Sequence, residues 1–126
     1  MDLDLLFNEL KKILNKHAED LDTSDEFLNS KAKIKKDSFH LYGKEEAEIY
    51  SRKQKVFLAG IVKQKNYVGF YFMPIYSDPD EFRLGEEIKK TLHGKTCFYI
   101  KDNSLFKQVE ELLVQGKKLY KKKGWI

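Results

Sequence analysis

Three histidines, one cysteine and two acidic clusters are the residues of this 126-residue chain with side chains suited to chemistry. His17, His40 and His93 stand far apart, and none has a second ligand at metal-binding spacing. His17 shares the apolar stripe of the first helical segment, where a hydrogen-bonded boundary histidine is the usual outcome. His40 falls on the side of its strand opposite Phe39 and Leu41. Cys97 lies between Thr96 and Phe98 in an apolar, strand-like stretch, which favours a packed thiol over a reactive one. "HGKT" at 93–96 has the ending of a phosphate-binding loop. Lys89 occupies the place of the glycine required five residues before Gly94, however, and the segment leads from a helix into a strand, the reverse of such a loop. The sequence therefore predicts no catalytic residues and no enzyme.

Metal binding is carried by Glu19, Asp20, Asp22, Asp25 and Glu26, which crowd the end of the first helix. Hard cations favour several carboxylate oxygens, but the spacing lacks the order of a calcium loop. Asp78, Asp80 and Glu81 surround Pro79 and read more simply as a turn with a helix cap. Nucleic acid would be met by Lys117, Lys118, Lys121, Lys122 and Lys123 beside Tyr120 and Trp125, with Lys31, Lys33, Lys35 and Lys36 as a second basic run. Lysines at a helix C-terminus also complement its dipole, and the terminal run contains no arginine, so nucleic acid is the weaker reading.

These groups must be positioned by one domain's worth of chain, residues 1–126. Charged residues reach 35% and the net charge is +4, unevenly spread. Residues 1–28 hold eight acids against three lysines, and residues 29–66 hold ten bases against four acids. No apolar run approaches a membrane span. One cysteine provides no disulfide framework, and the acidic start does not read as a signal peptide, so the sequence predicts a cytoplasmic protein.

The elements read in order. Leu3, Leu6, Leu10, Ile13, Leu14, His17 and Leu21 mark a first helix ending near Asp20. "SFHLYG" predicts a short strand turned by Gly43, and "EEAEIYS" fits either a further strand or a helical turn. "VFLAGIV" and "YVGFYFMPIY", separated by "KQKN", predict a hairpin that Pro74 ends. A turn centred on Gln64 and Lys65 would set Gly60 opposite Gly69 and leave a shallow trough. "EFRLGEEIKKTLHG" predicts a short helix closed by Gly94, "KTCFYIK" a strand, and the stretch from Ser104 a terminal helix. The order is helix, strands, helix, strand, helix. Hairpins rather than crossovers imply an α+β fold in two layers, a mainly antiparallel sheet packed with helices.

Both central strands are apolar on both faces. Val68, Phe70 and Phe72 point one way, and Tyr67, Gly69, Tyr71, Met73 and Ile75 the other. Phe57, Ala59 and Ile61 share one side of the neighbouring strand, with Val56, Leu58 and Val62 on the other. A sheet covered on one face alone should alternate with polar residues. The second face is therefore either covered by the terminal helix or the charged insert "KEEAEIYSRKQ", or it is a surface for a ligand or a second subunit.

"SFHLYG", "VFLAGIVKQKNYVGFYFMPIY", "LHGKTCFYIKD" and "LYKKKGW" together resemble the YdhG-like family of small bacterial proteins of unknown function, over roughly residues 38 to 126. The resemblance implies a two-layer α+β arrangement similar to secretion-chaperone-like folds. Some members are described as frataxin-like intracellular iron chaperones, a role that here would fall to the acidic end of the first helix. The leading expectation is a non-enzymatic domain that needs no cofactor. It would bind a small ligand or protein partner, including a second copy, through Tyr67, Gly69, Tyr71, Met73 and Gly60. The alternative is iron binding through Glu19, Asp20, Asp22, Asp25 and Glu26. A weaker one is nucleic-acid binding through the lysine-rich end.

Overall fold

Apolar spacing and a capping aspartate start the chain as a helix. In the computed structural model, which describes residues 1–27 and 37–126, α1 spans Leu3–Lys16, with Asp2 accepting a hydrogen bond from the Leu5 amide at its N-terminus. Its stripe buries Leu6, Phe7, Leu10 and Leu14. The helix stops at His17 rather than near Asp20, and the residues beyond form a short edge strand, β1 (Asp22–Ser24). The basic run Lys31, Lys33, Lys35 and Lys36 lies outside the described residues.

Next come two long strands, β2 (Ser38–Ile49) and β3 (Arg52–Lys63). "EEAEIYS" is thus strand, and Gly43 does not turn the chain: β2 continues through it with an irregularity in pairing between Tyr42 and Glu46. A Cβ on Gly43 would lie 3.2 Å from the Trp125 carbonyl, so the C-terminal residues run close against it. The turn comes at Tyr50 and Ser51, with φ values of 52° and 65°, the left-handed pair that a two-residue hairpin demands. Neither residue is a glycine or asparagine, and this turn holds the Tyr50 ring out into solvent.

β4 (Val68–Phe72) returns antiparallel to β3. The Gln64 amide donates to the Tyr67 carbonyl at 2.8 Å, which closes a longer loop than the one centred on Gln64 and Lys65. The register shifts accordingly: Gly60 lies opposite Tyr71, and Gly69 opposite Val62. The two glycines are not side by side. Pro74 opens a one-turn helix, α2 (Pro74–Ser77), and a 3-10 turn follows at Pro79–Glu81. The helix expected next shrinks to α3 (Glu86–Lys89). Gly94, with φ 68°, turns a hairpin between β5 (Leu92–His93) and β6 (Cys97–Ile100), and caps no helix. After a 3-10 turn at Asn103–Leu105, α4 (Phe106–Lys122) closes the fold.

The sheet is antiparallel throughout, in the order β1-β2-β3-β4-β6-β5, and with its helices makes an α+β fold. Both long helices lie on one face. Val68, Phe70 and Phe72 of β4, Ile61 of β3 and Phe98 of β6 are wholly buried there with Leu6, Leu10, Val109 and Leu113. A Cβ on Gly116 would sit 2.7 Å from the Phe72 ring, so the missing side chain lets α4 settle onto β4. The terminal helix therefore joins α1 instead of covering the second face. The charged insert forms the hairpin arms of β2 and β3.

One residue changes the expected faces of β3. Leu41 pairs with Ala59, but Tyr42 pairs with Phe57, leaving Leu58 as an extra residue. Such a bulge puts two residues against one and reverses the side-chain sequence beyond it. Leu58 enters the helix-covered core, and Phe57 joins the opposite face.

Candidate functional site

The second face of the sheet is built of rings. Strand alternation puts His40 and Tyr42 of β2 and Tyr71 of β4 on it, and the bulge adds Phe57. Phe27, in the segment after β1, lies across them, its ring 3.9 Å from His40, 5.3 Å from Phe57 and 5.8 Å from Tyr71. Tyr42 and Phe57 meet at 5.4 Å. Beside these rings is a cavity of about 470 Å³. Its floor is Tyr42, Val56, Phe57 and Tyr71, and Phe27 and Met73 flank it. Tyr50, Tyr76 and Trp125 stand at its mouth, with Gln54, Ser77 and Thr96 as polar points. No aspartate or glutamate is among its lining residues. A largely apolar concavity with a few polar groups is the usual composition of a small-molecule site.

Charge enters at the rim. The Lys123 ammonium lies 3.7 Å from the Trp125 ring centre and is held by Asp78 at 2.8 Å. The Lys95 ammonium lies 5.6 Å from the ring centre of Tyr76. Such cation–ring contacts favour positions over the ring face. Burial pushes the Tyr71 hydroxyl up to about 12, so it is a neutral hydrogen-bonding group at ordinary pH. The same burial raises Cys97, which is hydrogen-bonded to Tyr71 and is no ready thiolate.

His40 is the unusual group. It is 0% exposed, and among the described residues neither Nδ1 nor Nε2 has a hydrogen-bond partner. Leaving a buried polar atom unsatisfied costs roughly 1–3 kcal/mol. Burial drives its pKa down to about 4, only partly offset by the Asp25 carboxylate, so the ring is neutral. Gly60 is what makes room: a Cβ there would stand 2.1 Å from Nδ1.

Of the residues predicted to form a binding surface, the structure brings Tyr71 and Met73 to the cavity. Gly60 lies under His40, and Gly69 lies under the Tyr71 ring and the Cys97 sulfur, each 3.2 Å from a Cβ placed there. The trough expected between the glycines is thus filled by neighbouring side chains. Tyr67 turns elsewhere. It stacks on Tyr99 at 3.9 Å, and Tyr99 stacks on His93 at 3.8 Å, a three-ring ladder from the loop before β4 across β6 to β5. A hydrogen bond to Tyr99 raises the Tyr67 hydroxyl to about 12. Sequence reasoning missed Phe27, Tyr42, Phe57, Tyr76 and Trp125. Alternation in "SFHLYG" carried a signal for Tyr42, whereas Phe57 depended on an unforeseen bulge.

The acidic cluster does not converge. Asp20 bonds Lys117 at 2.7 Å and Lys121 at 2.5 Å, and these partners hold its carboxyl well below the usual range. Asp22 is bound by Lys55 at 2.7 Å, and Asp25 takes part through its backbone carbonyl, which accepts from the Ser38 hydroxyl. Glu26 accepts through its carbonyl from Ser24, and Glu19 is exposed. Among the described residues, no three His, Cys, Asp or Glu side chains lie where they could share one metal ion.

Part of the lysine-rich end is likewise engaged, while Lys118 and Lys122 are exposed. Lys117 reaches the His17 carbonyl as well as Asp20, and Lys16 and His17 both bind Glu110. Tyr120 is fully buried, its hydroxyl 2.7 Å from that of Ser77. Of the rings beside the lysines, Tyr120 therefore packs inward, while Trp125 stands at the cavity mouth under the Lys123 ammonium.

No described helix is long and apolar enough to cross a membrane. Compared with family models, curated proteins and solved structures, the chain matches none of them, so the resemblance to the YdhG-like family rests on the quoted residues alone.

Proposed function

We propose that this protein is a cytoplasmic binding module, rather than an enzyme, that takes a small, flat, apolar molecule in the cavity on the sheet face that no described helix covers. The observation that carries this reading is the cavity itself. About 470 Å³ lies on a sheet face that neither α1 nor α4 covers, walled by Tyr42, Phe57, Tyr71 and Trp125. That volume falls in the roughly 300–1,000 Å³ range of small-ligand pockets. Parallel and edge-on ring contacts suit planar ligands, because aromatic pairs gain beyond the area they bury. The lone buried cysteine fits a reducing compartment.

Trp125, the only tryptophan, stands at the cavity mouth and serves as the reporter. Titration with uncharged N-phenylnaphthylamine should give saturable dye emission excited through Trp125, with one dye bound per chain. Met73→Lys places a charge among the lining rings at a half-buried position and should abolish that emission without unfolding the chain. Absence of saturable binding to the folded protein, or unchanged binding to the folded Met73→Lys variant, would overturn the reading.

A further inference from the structure

Beneath the apolar cavity lies a polar group with nothing to bind. His40 is wholly buried and, among the described residues, both its ring nitrogens are unpartnered, while every described lining residue of the cavity is apolar, neutral polar or a tyrosine. The imidazole is one ring deep. Phe27 lines the cavity and lies on His40 at 3.9 Å, and Phe57, also lining it, is 5.9 Å away. Gly60 clears the space the imidazole occupies, which no other residue could do with the ring where it stands.

Resting on the ligand-binding reading above, we propose that His40 is the polar anchor of the cavity, reached when the Phe27 ring swings aside, and that it selects planar aromatic acids through their carboxylate. Three observations choose this class. The cavity walls accept flat apolar rings. The mouth carries the Lys95 ammonium over Tyr76, while Lys123 over Trp125 is balanced by Asp78, so an anion arrives toward the positive charge of Lys95. A carboxylate supplies both the acceptor that an imidazole N–H lacks here and the negative charge that stabilises the ring's protonated form.

The proton comes from solvent. On binding, the neutral imidazole takes up one proton and donates its N–H to a carboxylate oxygen, and no other bond changes. Groups sharing its face do not supply that proton. Among the described residues, Asp25 is the one carboxylate acting on His40, Asp22 on β1 is held by Lys55, and burial raises both the Tyr71 hydroxyl and the Cys97 thiol. From β3 the ring meets the Gly60 backbone and Phe57.

The test compares naphthoate with uncharged naphthalene methanol on the full chain by calorimetry. Naphthoate affinity should rise by about tenfold from pH 7 to pH 6, with one proton taken up, read from the dependence of the heat on buffer. Binding of the alcohol should not change with pH. Imidazole nitrogen resonances of the wild type, which need no variant to fold, should report His40 neutral in the free protein near pH 6 and protonated in the naphthoate complex. His40→Gln should lose the pH dependence and keep the alcohol. Alcohol binding with pH-independent naphthoate binding and a neutral His40 in the complex would overturn this assignment and leave the cavity reading standing. Failure of both probes to bind would overturn the two together.

Discussion

The two faces of the sheet are made of equally apolar strands and meet different surroundings. On one, Phe70, Phe72 and Phe98 are wholly buried under α1 and α4, with Gly116 cut away to let the helix close. On the other, Tyr71 and Phe57 are half-buried, and no described helix seals them. The first face has phenylalanines, whose rings need no polar partner. The second has tyrosines, a histidine and a tryptophan at its edge, residues with an apolar body and a polar atom. Residue choice thus tracks what each face does: one supplies stability, the other keeps polar atoms at a cavity.

Substitutions that separate the faces break this comparison most sharply. Phe70→Ala removes a fully buried ring and should lower stability by about 3–5 kcal/mol in denaturant unfolding. Tyr71→Ala should cost clearly less and still remove ligand binding. Equal losses at the two positions would make the open face ordinary core.

Gly60→Ala is the next largest. Its Cβ would fall 2.1 Å from the His40 ring, so the imidazole must leave its place. Overpacking of this kind should cost roughly 1–3 kcal/mol by thermal melting. A neutral result would mean that His40 moves freely, and would sharpen the case for a mobile imidazole.

Stability should also depend on pH through His40. Its folded pKa, about 4, lies below the ordinary value of 6.5. The unfolded chain therefore binds the extra proton first as pH falls. The contribution is fully present above about pH 6.5 and is lost progressively toward pH 4. Melting temperature should fall across that window, and His40→Gln should flatten the curve there.

The smallest effect belongs to the acidic cluster. Asp20 holds Lys117 and Lys121 at the surface, so Asp20→Asn should cost only about 0.2–1 kcal/mol and less at high salt. Tight, saturable ferrous-iron binding lost in this variant would instead assign a metal role to these residues.

The sequence made the covered face easy to read. Leu6, Leu10 and Leu14 repeat at helical spacing, and Val68, Phe70 and Phe72 alternate cleanly, so element type followed from periodicity. The open face depended on events that periodicity does not encode. A loop closed by Gln64 and Tyr67 moved the β3–β4 register, which separated Gly60 from Gly69. The extra residue Leu58 carried Phe57 across the sheet. Phe27 and Trp125 reached the cavity from segments distant in sequence, through contacts that only the folded chain creates. "EFRLGEEIKKTLHG" departs from the expected helix for a similar reason: Gly94 serves a hairpin of two short strands, and its left-handed φ suits that turn as well as a helix end.

The central claim, that the face covered by no described helix is the binding face, is tested most directly by mapping amide and side-chain resonances during titration with naphthalene methanol. Shifts confined to Tyr42, Phe57, Tyr71, Met73 and Trp125, with Leu6, Leu10, Val109 and Leu113 unmoved, are the predicted result. Shifts centred on the helices, or none at saturating probe, would contradict it.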